Sequence, residues 1–319
     1  MMRLPALILL ATAAAGAYPT ASPLTQANAA LQAGEADKAL ALLAPLAQPG
    51  GPAEAYNLKC RVEYSIEHWN QAAEDCEQAV KLDGQNSEHH LWLARALGAK
   101  ASRASFLSAF KLAKRVCAEM QEAVRLNPRS NDALADLGEF YYTAPPVVGG
   151  GIDKAEGVAT QLDKIDAGRA HELLGRIAEH QKDYSTAERE YKLAISTATH
   201  PASQWITLAH FYQGRERWAE MEAAVRSGQS AAEHDKHTSV ALYDGAELLI
   251  HTNRDAARAA KMLEEYLAGS TKSEEAPAFV AHTWLARLKG LSGDKAAASR
   301  ERAAALALAH DYKPALDLN

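Results

Sequence analysis

The chain has 319 residues, 23% charged and 48% hydrophobic, with a formal net charge of −6. That length exceeds one compact core unless the core is repeated along the chain. The mild acidity argues against a nucleic-acid-binding surface over the whole molecule, and ordinary hydrophobicity argues against a membrane-embedded one. Val and Ile are sparse while Ala, Leu, Glu, Lys and Arg dominate, so helices are expected throughout and strands are not.

The first segment stands apart. Met1-Met2-Arg3 is a short basic start, Leu4 to Ala15 is an apolar run, and Ala15-Gly16-Ala17 is a small-residue exit. That is the layout of a secretory signal peptide over residues 1–17, cleaved near Ala17. The apolar run is too short to span a bilayer of about 30 Å. No Cys follows it to accept a lipid. The expected location is the periplasm or exterior of a bacterial cell. Losing Arg3 would take the net charge from −6 to −7.

From residue 18 on, a period emerges. It is clearest in Gly168 to Pro201, where Gly175, Ala187 and Ala194 mark the close approach of two helices. Leu174, Ile177 and Ala178 form one apolar face, and Tyr184, Ala187, Tyr191 and Ala194 form the second, separated by Gln181-Lys182-Asp183. The same landmarks appear at Ala27, Ala39 and Leu46, then at Cys60, Ala72 and Ala79. Later sets are Ala209, Met221 and Gly228; Gly245, Ala257 and Glu264; and Ala286, Ala298 and Ala305. All five Trp fall at packing positions of this scheme.

Two units break the period. Between Ala94 and Ala123 lie extra residues, making an extended hairpin at about 87–126. It carries Lys100, Arg103, Lys111, Lys114 and Arg115 without an acid until Glu119, with Phe106, Leu107, Phe110 and Leu112 at helical spacing. This is either a solvated face with packed phenylalanines or a docking surface for an acidic partner or anionic membrane. In the next unit an insertion at 143–151 holds Pro145-Pro146 and Gly149-Gly150-Gly151. The prolines end a helix. The glycines lack the spacing of a phosphate loop and follow a helix rather than a strand, so an ordered turn is expected.

The landmarks and their 34-residue spacing resemble tetratricopeptide (TPR) repeats over about Ser22 to Leu308. The resemblance implies an all-α fold, a right-handed α-solenoid of about eight helical hairpins. The runs LWLARALGAKAS and EFYYTAPPVVGGGIDKA resemble exported bacterial TPR proteins of unassigned activity with an Ala-Pro and triple-Gly insertion. There is a looser likeness to the TPR partners of solute transporters.

TPR proteins generally bind peptides or partner surfaces along a concave face lined by first helices. The residue after each small landmark belongs to that face: Arg61, Arg95, Glu139, Arg176, His210, Ala246 and Arg287, with Tyr142 one turn on. Four arginines on one surface can grip carboxylates through paired hydrogen bonds, or each can pair with a neighbouring acid, as Arg176 with Glu172 or Glu179. The expected role is a periplasmic scaffold binding a protein or peptide segment, not an enzyme, with no nucleic acid and no stable membrane insertion. The alternative is a solute-handling accessory protein binding a small anionic ligand. Oligomeric state is left open.

No catalytic constellation stands out, and no cofactor is implied. The histidine pairs His89-His90 and His234…His237 do not match a metal-ligand spacing, so no metal is expected. Cys60 and Cys76 lie on the two helices of one unit. A disulfide between them is favoured by an oxidising compartment and borderline in register.

Overall fold

The computed structural model describes residues 21–233, 235, 239–270 and 272–318. The expected signal peptide lies outside the described residues. The described chain is a series of antiparallel helix pairs. They are α1 (Pro23–Ala33) with α2 (Ala36–Leu43), α3 (Ala53–Ser65) with α4 (Trp69–Leu82), and α5 (Ser87–Ala101) with α6 (Phe106–Leu126). α7 (Asn131–Thr143) pairs with α8 (Ile152–Leu162) across a 3-10 turn at Pro146–Val148. Then come α9 (Ala167–His180) with α10 (Tyr184–Thr197), α11 (Ala202–Gly214) with α12 (Trp218–Glu233), and α13 (Val240–His251) with α14 (Ala256–Ala268). α15 (Ala278–Leu291) pairs with α16 (Lys295–Leu308), and a short α17 (Lys313–Leu316) follows. Each helix packs on its partner and on the next pair. This is an all-α solenoid of eight hairpins.

Close packing explains the landmarks. Ala27, Ala39, Cys60, Ala72, Ala79, Ala94, Ala123, Ala155, Ala187 and Ala209 are fully buried, each where a larger side chain would push two helices apart. A Cβ on Gly175 would lie 2.7 Å from the Tyr191 ring, so the ring fills the space that glycine leaves. The seventh unit corrects the sequence reading. Ala257 and Glu264 are exposed, and Ala259 and Tyr266 take their places in the core. α13 runs one residue further past its Gly245 than α9 does past Gly175, and the turn after it is one residue longer, so the register moves by two.

The within-pair turns share a device absent from the sequence reading. Gly34, Glu67, Lys182, Glu216, Asn253 and Gly293 all have left-handed backbone angles. At each turn an amide donates back to a carbonyl five residues earlier: Glu35 to Ala30, His68 to Glu63, Asp183 to Ala178, Arg217 to Tyr212, Arg254 to Leu249 and Asp294 to Lys289. This satisfies the carbonyls left free at a helix end. Of the two pairs that depart from the period, α5–α6 lacks this device, and in α7–α8 it closes the 3-10 turn instead of the helix, with Gly149 left-handed and the Gly150 amide donating to Pro145 O.

The solenoid closes on itself. Ala27, Leu31, Ala39, Leu43 and Leu58 share one core cluster with Phe279, Ala305, Ala309, Tyr312 and Ala315. The Phe279 and Tyr312 rings meet edge to face with centroids 4.8 Å apart. Across the seam the Lys272 amide donates to Gln32 O at 2.7 Å, and the His310 amide and ring Nδ1 meet the Asp37 carboxylate at 3.0 and 2.8 Å. Gly34 lies so near Ala278 that an added Cβ would sit 2.5 Å from its amide nitrogen. The concave face expected from the sequence is therefore the inner wall of a ring.

Candidate functional site

The inner wall is built from the first helix of each pair. Arg61 stands on α3, Arg95 on α5, Glu139 and Tyr142 on α7, Arg176 on α9, His210 on α11 and Arg287 on α15. Ala246, expected beside them, is fully buried; its neighbours Asp244 and Glu247 on α13 take part in the electrostatics of the wall.

Arg61 and Arg95 are the best-defined part. Their guanidinium carbons lie 5.2 and 4.8 Å from the centroid of the Trp92 ring. Tyr64 supports that ring edge to face at 5.7 Å. The two cations are thus held over a buried aromatic surface, an arrangement that favours guanidinium over ammonium. Arg61 donates from Nε to Glu274 Oε2 at 2.8 Å and from Nη2 to Glu274 Oε1, a paired contact with both side chains mostly out of solvent. Arg95 donates to Asp136 at 2.7 Å and faces Glu275 at 3.8 Å. Glu274 and Glu275 come from the segment between α14 and α15, over two hundred residues along the chain from Arg61. They form an acidic strap laid across the arginines.

The electrostatics follow from this enclosure. Burial pushes the Arg95 guanidinium down, but its hydrogen bond to Asp136 and the fields of Asp136 and Glu275 outweigh it, so it stays charged. Burial pushes the Glu275 carboxyl up, offset in part by Arg95. Asp244 is pushed up to about 7 by burial first, then by Glu247 and Glu275. His210 is open to the lumen water yet enclosed by the wall; burial first, then the neighbouring Arg176 and His251, push it down.

Arg61, Trp92, Arg95 and Glu274 line one cleft, and a second, of about 230 Å³, adjoins it along α7 and α9. It is lined by Asp136, Glu139, Arg169, Glu172, Arg176 and Gln204. Arg176 donates to Glu172 at 3.0 Å, and Glu172 also accepts from Gln204 at 3.2 Å and Thr207 at 3.0 Å. Arg169 pairs with Asp132 at 2.9 Å. Asp136 and Arg169 line both clefts, so Arg61, Arg95, Glu139 and Arg176 belong to one continuous surface. Tyr142 sits beside it, its ring edge to face with His180 at 5.7 Å. Arg287 lies elsewhere: it stacks on Trp284 at 4.8 Å and lines a separate depression with Lys295 and Arg302. Sequence spacing offered Glu172 as a partner of Arg176, four residues away on the same helix, but could not show the partners of Arg61 and Arg95, because Asp136, Glu274 and Glu275 are distant from them in sequence.

Other chemistry resolves into packing. Cys60 and Cys76 are joined across α3 and α4, with Cα atoms 5.3 Å apart. Cys117 is buried against Gly149, and burial pushes its thiol up. In the Pro-Gly turn the amides of Gly149, Gly150 and Gly151 donate to Pro146, Pro145 and Tyr141 carbonyls, which leaves them unavailable to an anion. His89 and His90 are buried and bonded to Asp83 O, Glu119 and Gly84 O. Of the second histidine group, His234 and His237 lie outside the described residues. Among the described residues Asp37, His310 and Asp311 gather within 4.8 Å at the seam, a donor set a divalent metal could use, although Asp37 and His310 are bonded to each other.

No family model and no curated protein matches this chain. Solved structures do. A thermophilic TPR protein of Thermus thermophilus superposes with a TM-score of 0.50 at 20% identity, over 60% of this chain and 97% of that one. The C-terminal part of a TPR repeat-containing protein from Cytophaga hutchinsonii covers 92% of this chain and 98% of its own at 14% identity, with a TM-score of 0.43. At such identities the first likeness speaks for the fold alone, and it agrees with the paired helices, buried small residues and repeated turns described above: the chain has the tetratricopeptide-repeat fold.

Proposed function

We propose that the protein is a non-catalytic interaction scaffold, exported to the periplasm, whose inner wall takes a segment of a protein partner. The observation that supports this most is the continuous wall from Arg61 through Arg95 and Arg169 to Arg176, on which cations are preformed over an aromatic surface and already hold carboxylates of the chain itself. Such a wall selects extended segments rich in Asp or Glu, because paired guanidinium contacts need a carboxylate opposite. The signal-peptide pattern of residues 1–17 supports the compartment.

The test is in-cell crosslinking and pull-down of the chain beside a variant carrying Arg95→Glu and Arg176→Glu. The reading expects a partner recovered with the parent chain and lost with the variant. Equal recovery from both would overturn the wall as the binding surface. Fractionation of cells would test the compartment; finding the chain with its first seventeen residues in the cytosol would overturn it.

The second reading is a small anionic ligand, favoured by the size of the Arg169–Arg176 cleft, about 230 Å³. A thermal-shift screen with di- and tricarboxylates would separate the two. A rise in melting temperature that Arg176→Glu abolishes supports the ligand reading, and no shift with any of them removes it.

A further inference from the structure

The α5–α6 hairpin ends in the most exposed apolar pair of adjacent residues among the described ones. Phe106 is 84% and Leu107 75% exposed. α6 has 21 residues, against at most 16 in any other helix, and its buried side chains begin only at Val116. Its first ten residues, about 15 Å of helix, therefore bury no side chain fully. A free apolar pair at a helix start is not explained by the fold, which would lose nothing by having polar residues there.

The charges carried by the hairpin's own stretch of sequence around the pair are of one sign. Lys100, Arg103, Lys111, Lys114 and Arg115 lie between Gly98 and Ala118 with no acid among them, in a chain of net charge −6. Arg103 reaches Glu67 at 3.4 Å and Arg115 reaches Glu77 at 2.5 Å. Lys100, Lys111 and Lys114 form no ion pair among the described residues, and Lys114 lies over the Phe110 ring at 4.8 Å. Apolar side chains thus occupy the first turn of α6, and free lysines stand one and two turns behind.

A second observation concerns position. In a row of antiparallel pairs every within-pair turn lies on the same edge. Of the eight large apolar residues that are exposed among the described ones, Phe106, Leu107, Val147, Tyr184 and Leu291 sit at such turns. The opposite edge carries far less, with Leu82 at the end of α4.

We infer that this edge docks on an anionic lipid bilayer, with Phe106 and Leu107 entering the interface and Lys111, Lys114 and Lys100 meeting the phosphates. The order in depth is what selects a bilayer over a protein groove: apolar groups at a convex tip, flexible cations at headgroup level behind it. The contact is peripheral, since no helix among the described residues is long and apolar enough to cross a membrane. It is independent of the inner-wall reading, as the hairpin tip and the wall share no residue named above.

The experiment is co-sedimentation of the purified chain with vesicles of equal parts phosphatidylglycerol and phosphatidylcholine, and with phosphatidylcholine alone. The expected result is roughly tenfold stronger partition onto the anionic vesicles, weakening as salt rises. Phe106→Ser with Leu107→Ser, and separately Lys111→Glu with Lys114→Glu, should each cut it by roughly tenfold. Their melting curves should match the parent, because the altered side chains are not buried. A Phe106→Trp chain should show a blue-shifted emission when anionic vesicles are added. No binding to anionic vesicles, or binding that neither pair of changes weakens, overturns the inference. So does sedimentation showing that the tip instead joins two copies of the chain, with self-association lost in Phe106→Ser, Leu107→Ser.

Discussion

Asp244 shows what the ring does to a single residue. On an open helix face its carboxylate would be solvated and ionised. Facing the lumen beside Glu247 and Glu275, it is pushed up to about 7. The folded pKa lies above the unfolded one, so the group's contribution to stability is full below pH ~4 and is lost as pH rises through about 7. Replacing Asp244 by Asn should remove that loss. The variant is expected to match the parent near pH 4 and to exceed it at pH 8, by no more than about 2 kcal/mol since water still reaches the side chain. Thermal denaturation at the two pH values checks it, and parallel pH profiles for the two chains would show that Asp244 is not titrating in the folded state.

Among elements, the Pro-Gly turn is the most demanding of its sequence. Gly149 has φ 114°, and a Cβ there would meet Cys117 Sγ at 2.7 Å. Gly149→Ala should therefore cost roughly 1–3 kcal/mol from backbone strain and the clash with α6; chemical denaturation would measure it. An unchanged midpoint would mean the turn is free to move. The turn was legible as a turn from Pro145-Pro146 and three glycines, because those residues constrain the backbone locally. Its contact with Cys117 was not, because nothing local encodes it. The same division runs through the molecule. Ala187, Ala194 and Tyr191 announce a helix pair by spacing alone, whereas Glu67, Lys182 and Glu216 carry left-handed angles that their residue types disguise. In the seventh unit a one-residue lengthening of the helix and another of the turn moved the register, and spacing borrowed from its neighbours then named exposed Ala257 and Glu264. Arg61 and Arg95 were legible as wall residues because the helix register places them; Glu274 as their partner required the closure of the ring.

At the scale of the whole molecule, closure joins the two ends of the chain through contacts between residues more than two hundred positions apart. Breaking one side of the enclosed Arg61–Glu274 pair, as in Glu274→Ala, should cost about 1–3 kcal/mol, because the guanidinium loses its paired hydrogen bonds and keeps only the exposed Glu88 carboxylate at 4.0 Å. Hydrogen exchange should then quicken in α1 and α2 as well as in the strap. A quickening confined to the strap would show that the seam holds without it. In an open array each unit touches only its neighbours, and unfolding can proceed from either end. Here neither the first nor the last unit of the described residues has a free face at the seam, and the buried contact of Phe279 and Tyr312 against α1–α3 ties the stability of the first unit to that of the last.

Closure also sets a rule about number. An open row of repeats tolerates the gain or loss of a unit, since any unit can follow any other. A ring that meets itself at Gly34 and Ala278, where there is no room for a Cβ, admits only the count that brings those two residues together. Deleting one regular pair, such as α9–α10, would leave both halves well formed and yet unable to join. For this chain the number of repeats is itself a structural parameter, fixed as firmly as the identity of a core residue.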